Sequence, residues 1–180
     1  TTSHDDIRTK TYVDALRKYS GAAVDIVKPT QNMIDKYRFT RAPSDDPIHY
    51  NFASLLNRYD GVVMSGGGPN VSPKYYGGKP LVENDTHDVP RDILSLGIAK
   101  QLPAHKPMLA ICLGMQHLAV AHGASLGKDN NHWTDGDDIT KYRPSHPLHI
   151  RHASLLHLLV HTATQVTQRT PFAERITSLI

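Results

Sequence analysis

Cysteine is scarce in this chain of 180 residues: there is one, Cys112. A single cysteine excludes an internal disulfide and favours a reducing compartment, so we expect a cytoplasmic protein. Long apolar runs are also missing, since no stretch approaches the roughly 20 residues that span a membrane. The polar start, Thr1 to Lys10, has no signal-peptide core. We therefore expect no membrane partner.

Clusters of like charge are missing as well. The net charge is +3 with histidine neutral, and the lysines and arginines are scattered. Without a basic stripe we expect no nucleic-acid partner. The composition, 39% apolar and 21% charged, is typical of a globular protein. With no internal repeat or low-complexity linker, residues 1–180 are expected to form a single domain.

The one cysteine stands at the junction of two patterns. An apolar run from Met108 ends at Cys112, and helical spacing begins at Leu113. A strand that turns sharply into a helix with a nucleophile at its tip has this pattern. Small residues are expected two positions to either side, and Ala110 and Gly114 occupy those positions. The helix N-terminus favours the thiolate, which suggests attack by Cys112 on a carbonyl.

Strands are predicted to alternate with helices along the chain. This order favours an α/β fold with a doubly wound, mostly parallel sheet and helices on both faces. Ligands in such folds bind at the carboxyl ends of strands, where Ser65-Gly-Gly-Gly-Pro69 and Cys112 both fall. The predicted strands cover residues 22–27, 61–64 and 107–111, and the main helices cover residues 7–19, 52–59, 90–102 and 113–122.

Thiolate attack needs donors for the oxyanion that forms. The N–H of Leu113 is one candidate, and the glycine run Gly66, Gly67 and Gly68 is the other, because glycine lets the backbone approach closely. Two simpler interpretations stay open: Cys112 as a small buried hydrophobe, and the glycine run as an ordinary turn. The run is not a phosphate loop, since no Lys-Ser or Lys-Thr follows it.

The segment Ala110-Ile-Cys-Leu-Gly-Met-Gln116 closely resembles the nucleophile motif of class I glutamine amidotransferase-like proteins. Gly61 to Gly77 resembles the oxyanion strand and loop of one branch, the γ-glutamyl hydrolases that cleave γ-glutamyl-GABA and related amides. Asp88-Val-Pro-Arg-Asp92, residues 121–126 and residues 144–156 also match that branch.

The resemblance implies a flavodoxin-like fold, a Cys-His-Glu triad and no cofactor. Cys112 would form a thioester with a small γ-glutamyl amide, which water then hydrolyses. Gln116 matches a position that holds the glutamyl part of the substrate, and His146 lies in a segment that borders the site in the family. Whether the chain forms a homo-oligomer, or has a partner that accepts ammonia, stays open.

The chain departs from the family pattern at both ends. The family's first strand is missing, and the segment Val166 to Phe172, which aligns with the family's base motif, has no histidine. The only later acid is Glu174. Three interpretations follow: a truncated enzyme, a catalytically inactive relative that binds a ligand or partner, or an enzyme in which another histidine acts as the base. His161 is the candidate nearest in sequence.

The sequence is rich in histidine, with 12 in all and five between His146 and His161. His157 and His161 are four residues apart and would share a helix face, as metal ligands do. Few acids and no cysteine accompany them, so solvent-facing histidines are the simpler interpretation. We therefore expect no metal.

Overall fold

The computed structural model describes residues 4–41, 44–79, 86–127 and 152. Contacts divide the chain into two compact units, Thr1–Lys128 and Asp129–Ile180. Apart from His152, every described residue belongs to the first unit. The predictions for His146 and His161 lie outside the described residues.

In the described part of the first unit, three helices come before a strand–helix–strand–helix order, and the two strands form a small parallel sheet, which makes the fold a mixed α/β one. Among the described residues no helix is both long and apolar enough to cross a membrane. The elements are α1 (His4–Ser20), α2 (Gln31–Asp35), α3 (Ala53–Leu56), β1 (Val62–Met64), α4 (Val89–Gln101), β2 (Met108–Ala110) and α5 (Leu113–Ala121), with 3₁₀ turns at Pro47–His49 and Pro73–Tyr75.

Local signals determine where α4 begins. The Asp88 side chain accepts a hydrogen bond from the backbone N–H of Arg91 at 3.1 Å, and Pro90 stands in the first turn. A carboxylate at this position satisfies an amide that the helix leaves unpaired, and it stabilises the helix by about 1 kcal/mol. The helix predicted over 90–102 is therefore confirmed, with a shift of one residue.

The strand predicted over residues 22–27 is wrong. The segment is not part of the sheet, and Ile26 and Val27 are 52% and 36% exposed. Their apolar side chains suit a strand, but a strand needs a neighbour that supplies hydrogen bonds and a surface to cover. In the part of the chain that the structure describes, β1 pairs with β2 alone.

The two strands run parallel in a defined register. Val62 is opposite Met108, and Met64 is opposite Ala110. The N–H of Ile111 extends the ladder by donating to the Met64 carbonyl at 2.9 Å. Because parallel strands end at the same edge, the segment after β1 and the segment after β2 lie side by side. The glycine run and Cys112 occupy these two segments.

Helix α4 lies in the middle of the core and contributes to two apolar clusters. Each large apolar side chain buried there stabilises the fold by about 1.5–3 kcal/mol relative to an exposed one. The helix thereby fixes β1 and α5 relative to each other. The first cluster is Ile34, Tyr50, Phe52, Leu55, Leu56, Ile93, Leu94 and Ile98, and the second is Val71, Leu96, Leu113 and Val120.

Candidate active site

Cys112 has an unusual backbone conformation. Its φ is 52° and its ψ is −113°, and among the described residues it is the one non-glycine residue with a positive φ. Such a conformation costs about 1–3 kcal/mol and persists only where the surrounding structure holds it. Cys112 is the N-cap of α5 and its side chain is exposed. The strand therefore turns sharply into the helix, with the sulfur accessible at the tip, as in a nucleophile elbow.

Gly114 allows α5 to pack directly on the end of β1. A Cβ at this position would lie 2.2 Å from the carbonyl oxygen of Met64 and 2.7 Å from its carbonyl carbon. These are backbone atoms that cannot move aside. The small residue expected two positions after Cys112 is thus required, but its tight neighbour is Met64 of the adjacent strand rather than Ala110.

The glycine run approaches Cys112 through its first member. A Cβ on Gly66 would lie 3.3 Å from the Cys112 Cβ and 3.8 Å from its Sγ, and 3.5 Å from the Tyr12 hydroxyl. One on Gly67 would lie 3.1 Å from Leu113 Cδ2, whereas one on Gly68 would meet nothing within 4 Å. The structure therefore brings Gly66 and Gly67 to the start of α5 and leaves Gly68 open.

Leu113 and Gln116 lie in the first turn of α5. Leu113 is buried, and as the first helical residue it has an N–H that the helix's own hydrogen bonds do not use. Gln116 donates its backbone N–H to the Cys112 carbonyl at 3.1 Å. Its side-chain Oε1 is buried with no hydrogen-bond partner among the described residues. This oxygen is an acceptor that a ligand could use.

Within the described part of the first unit, three histidine side chains have defined hydrogen bonds, and none of these goes to Cys112. His87 bonds to the Asn70 carbonyl, His122 bonds to the Leu118 carbonyl, and His117 bonds to Asp92. Over the described ranges no three histidine, cysteine or acidic side chains are grouped as metal ligands would be.

A buried contact between a carboxylate and an imidazole joins α4 to α5. The Asp92 carboxylate lies 2.8 Å from His117 Nε2, and its second oxygen accepts from the Ser72 N–H at 3.1 Å. Asp92 is 2% exposed and His117 is fully buried. The sequence did not lead us to predict this pair. The available signal was a carboxylate at the start of the apolar run of α4, where an unpaired charge would be costly.

The same carboxylate affects Tyr75. Burial raises the pKa of the Tyr75 phenol above its ordinary range, and the negative charge of Asp92 raises it further. The hydroxyl donates to the Asp45 carbonyl at 2.7 Å. Tyr75 therefore stays protonated at neutral pH and does not serve as a base.

A groove of about 570 Å³ lies between β1, α4 and the segment of residues 25–30. One end of the groove reaches Ser65, Asp88 and Arg91, but Cys112 and Gly66 do not line it. The groove is therefore on the Arg91 side of the glycine loop, not at the sulfur.

An exposed cysteine at a strained strand-to-helix turn lies beside the glycine loop that ends the neighbouring parallel strand, and this is the arrangement expected of the glutamine amidotransferase-like class. The comparison with known families identifies the group within that class. Residues 42–171 match the peptidase C26 family, and the chain belongs to it.

Individual relatives agree with this assignment. The chain is 39% identical over 80 residues to the glutamine amidotransferase-like protein YvdE homolog of Lactococcus lactis subsp. cremoris, covering 44% of this chain and 42% of that protein. It is 33% identical over 116 residues to the gamma-glutamyl-gamma-aminobutyrate hydrolase PuuD of Escherichia coli (strain K12), covering 59% of this chain and 45% of that protein. The matches therefore span less than half the length of these relatives.

Proposed function

We propose that this chain hydrolyses γ-glutamyl amides by a cysteine-dependent reaction, in which Cys112 forms a thioester. The observation that carries the proposal is the positive φ of an exposed Cys112 with Gly66 packed against it. A sulfur with backbone amides close by is what acyl transfer requires, so this contact supports the proposal. The hydrolase named among the relatives supports the γ-glutamyl group as the substrate class.

The reaction proceeds in two balanced steps. The Cys112 thiolate attacks the γ-carbonyl carbon, a C–S bond forms, and the C–N bond breaks as the amine leaves with a proton from a general acid. Water then attacks the thioester carbon, a C–O bond forms and the C–S bond breaks; glutamate leaves as the carboxylate, and a proton from water passes through the base to the sulfur and restores the thiol. The Leu113 N–H and the amides of Gly66 and Gly67 stabilise the oxyanion in both steps, and the unpartnered Oε1 of Gln116 accepts from a donor on the glutamyl group.

The proposal extends to the fold and the compartment. We place β1 and β2 in a doubly wound sheet of the flavodoxin type, since a parallel pair connected through a helix is the unit from which such sheets are built. The expected substrate is a small γ-glutamyl amide. The expected compartment is the cytoplasm, because its reducing conditions keep a catalytic thiol reduced.

Hydrolysis of γ-glutamyl-p-nitroanilide tests the proposal, because release of p-nitroaniline is followed by absorbance. Cys112→Ala is expected to lower the rate on the order of 10³-fold or more. Cys112→Ser keeps the size of the side chain and tests for the thiolate. Intact-mass measurement of the native chain during turnover should show one γ-glutamyl adduct, and Cys112→Ala should show none. Turnover that survives Cys112→Ala would contradict the proposal.

The base is tested by variants of the histidines beyond the first unit. We propose His161 as the general base, and His146→Ala is compared with His161→Ala. His157→Ala is the matched control, since His157 belongs to the same cluster of histidines in the sequence. If His161 is the base, His161→Ala lowers turnover and shifts the pH dependence of kcat, whereas His157→Ala does neither. Stoichiometric labelling of Cys112 by a glutamine analogue with no turnover would instead favour a binding protein without activity.

A further inference from the structure

We infer that Arg91 is a positioning residue that orients the amides of the glycine loop toward the oxyanion. The inference rests on the proposed role of Cys112 and assigns a function to a side chain outside the nucleophile turn. Arg91 Nη2 donates to the Ser65 carbonyl at 2.6 Å and to the Gly66 carbonyl at 2.8 Å, with the Ser65 hydroxyl at 3.3 Å. One guanidinium therefore holds two successive carbonyls of the loop that follows β1.

The hydrogen bonds of Arg91 determine where the loop amides point. All described peptides are trans, and a trans peptide directs its C=O and N–H in opposite directions. Since the carbonyls of Ser65 and Gly66 point to the guanidinium, the N–H groups of Gly66 and Gly67 point away from it. Two such amides held on one side of a loop form a small anion-binding concavity.

The two glycines explain why this arrangement needs residues without side chains. Gly66 presents its Cα to Cys112, whereas a Cβ on Gly67 would lie 2.2 Å from Arg91 Nη1 and 3.1 Å from its Cζ. Any side chain on Gly67 would displace the guanidinium. Ser65 and Arg91 line the groove beside β1, and Cys112 does not, which places the cation behind the loop rather than at the reacting sulfur.

The cation also strengthens the donors. A positive charge bound to a carbonyl polarises the peptide, and hydrogen bonds in such a chain reinforce one another by roughly 10–30%. Arg91 stands in the first turn of α4, where a cation interacts unfavourably with the helix dipole. The Arg91 side chain is directed to the carbonyls of Ser65 and Gly66 instead, and these contacts offset the unfavourable position of a cation at the start of the helix.

The test compares two reactions of the single cysteine. With p-nitrophenyl acetate, sulfur attacks the carbonyl carbon, an S–C bond forms, p-nitrophenolate leaves with the electron pair, and the thiol proton passes to solvent. With iodoacetamide, sulfur displaces iodide from a CH₂ group and no oxyanion forms. Both reactions use the thiolate, so the ratio of their rates is independent of the thiolate fraction and reports the oxyanion donors.

Arg91→Met is expected to slow acetylation on the order of 10- to 100-fold while alkylation changes less than about 3-fold, with Cys112→Ala as the background. Arg91→Lys should give an intermediate ratio, because an ammonium restores the charge but not the position of the planar guanidinium nitrogen that contacts both carbonyls. Lys106→Met is the matched control: Lys106 Nζ likewise holds two carbonyls, of Leu56 and Tyr59, at 2.8 and 2.7 Å. Leu56 and Tyr59 precede β1 and Lys106 precedes β2, whereas the glycine loop and Cys112 follow these strands. Lys106→Met should therefore leave the ratio of the two rates unchanged.

The inference is overturned if Arg91→Met leaves the ratio of acetylation to alkylation unchanged, or if both rates fall equally. If the methionine variant does not fold, the same comparison is made with Arg91→Lys. Neither reagent contains a γ-glutamyl group or requires the general base. If the native chain does not cleave γ-glutamyl-p-nitroanilide but Arg91→Met lowers the ratio, the proposed function fails and the inference holds. If the chain cleaves that substrate and the ratio is insensitive to Arg91, the inference fails alone.

Discussion

Replacing His117 with leucine would leave the Asp92 carboxylate buried without its imidazole partner. His117 is fully buried and Asp92 is 2% exposed, so water cannot take the place of the lost contact without opening the core. Removing one partner of a buried pair costs about 3–5 kcal/mol. That is a large part of the roughly 5–15 kcal/mol by which a domain is stable.

The double variant distinguishes a lost charge partner from a generally damaged core. In Asp92→Leu with His117→Leu, neither charge nor imidazole remains, and the unpaired group left behind is the Ser72 N–H, which costs about 1–3 kcal/mol. We therefore expect the double variant to be more stable than His117→Leu alone. A second substitution that restores stability is the signature of a coupled pair.

Urea denaturation followed by far-UV circular dichroism measures these free energies, with the slope compared among variants to detect changes in the unfolded state. His122→Leu is the matched control, since His122 is exposed at the end of the same helix, and its cost should stay within about 0.5 kcal/mol. The reasoning is refuted if His117→Leu costs less than about 1 kcal/mol, or if the two substitutions are simply additive.

Two other sites give separate predictions. Gly114→Ala should destabilise the fold by about 1–3 kcal/mol in urea denaturation, because the new Cβ overlaps the Met64 backbone. Gly68→Ala is the control and should be neutral, since a Cβ there meets nothing within 4 Å. Equal costs for the two variants would contradict the packing argument. Because the pKa of Tyr75 is raised in the folded state, its stabilising contribution is complete below about pH 10, the unfolded value, and is lost as pH rises through the higher folded value. Tyr75→Phe should therefore flatten the alkaline fall in the free energy of unfolding, and an unchanged pH dependence would refute this.

Local chemistry explains why much of the fold could be predicted from the sequence. Pro90 and the Asp88 cap define the start of α4, and Gly21, with a φ of 67°, follows the end of α1. These signals act within one turn of chain, so they can be read without knowledge of the rest. The two sheet strands were predicted for a related reason, since each is a short apolar run that leads into the turn of the candidate site.

Predictions that depend on distant partners were less successful. The apolar residues 22–27 have strand propensity, but pairing depends on which strand edge is within reach. The Asp92–His117 contact joins residues 25 apart, and neither residue type predicts the other at that spacing. The sequence indicated the glycine run as a segment of the site. It could not show that Gly66 contacts Cys112 while Gly68 is open, because that difference depends on the path of the loop.

Two residues of the candidate site break local rules. A non-glycine residue with positive φ is strained at Cys112, and a cation in the first turn of a helix is unfavourable at Arg91. Each of these two exceptions needs compensation from the surrounding structure. At Cys112 the compensation is Gly114 packed on Met64, which holds the turn. At Arg91 it is the pair of loop carbonyls, so that the strained backbone of Cys112 and the amides that we propose Arg91 orients both depend on the end of β1.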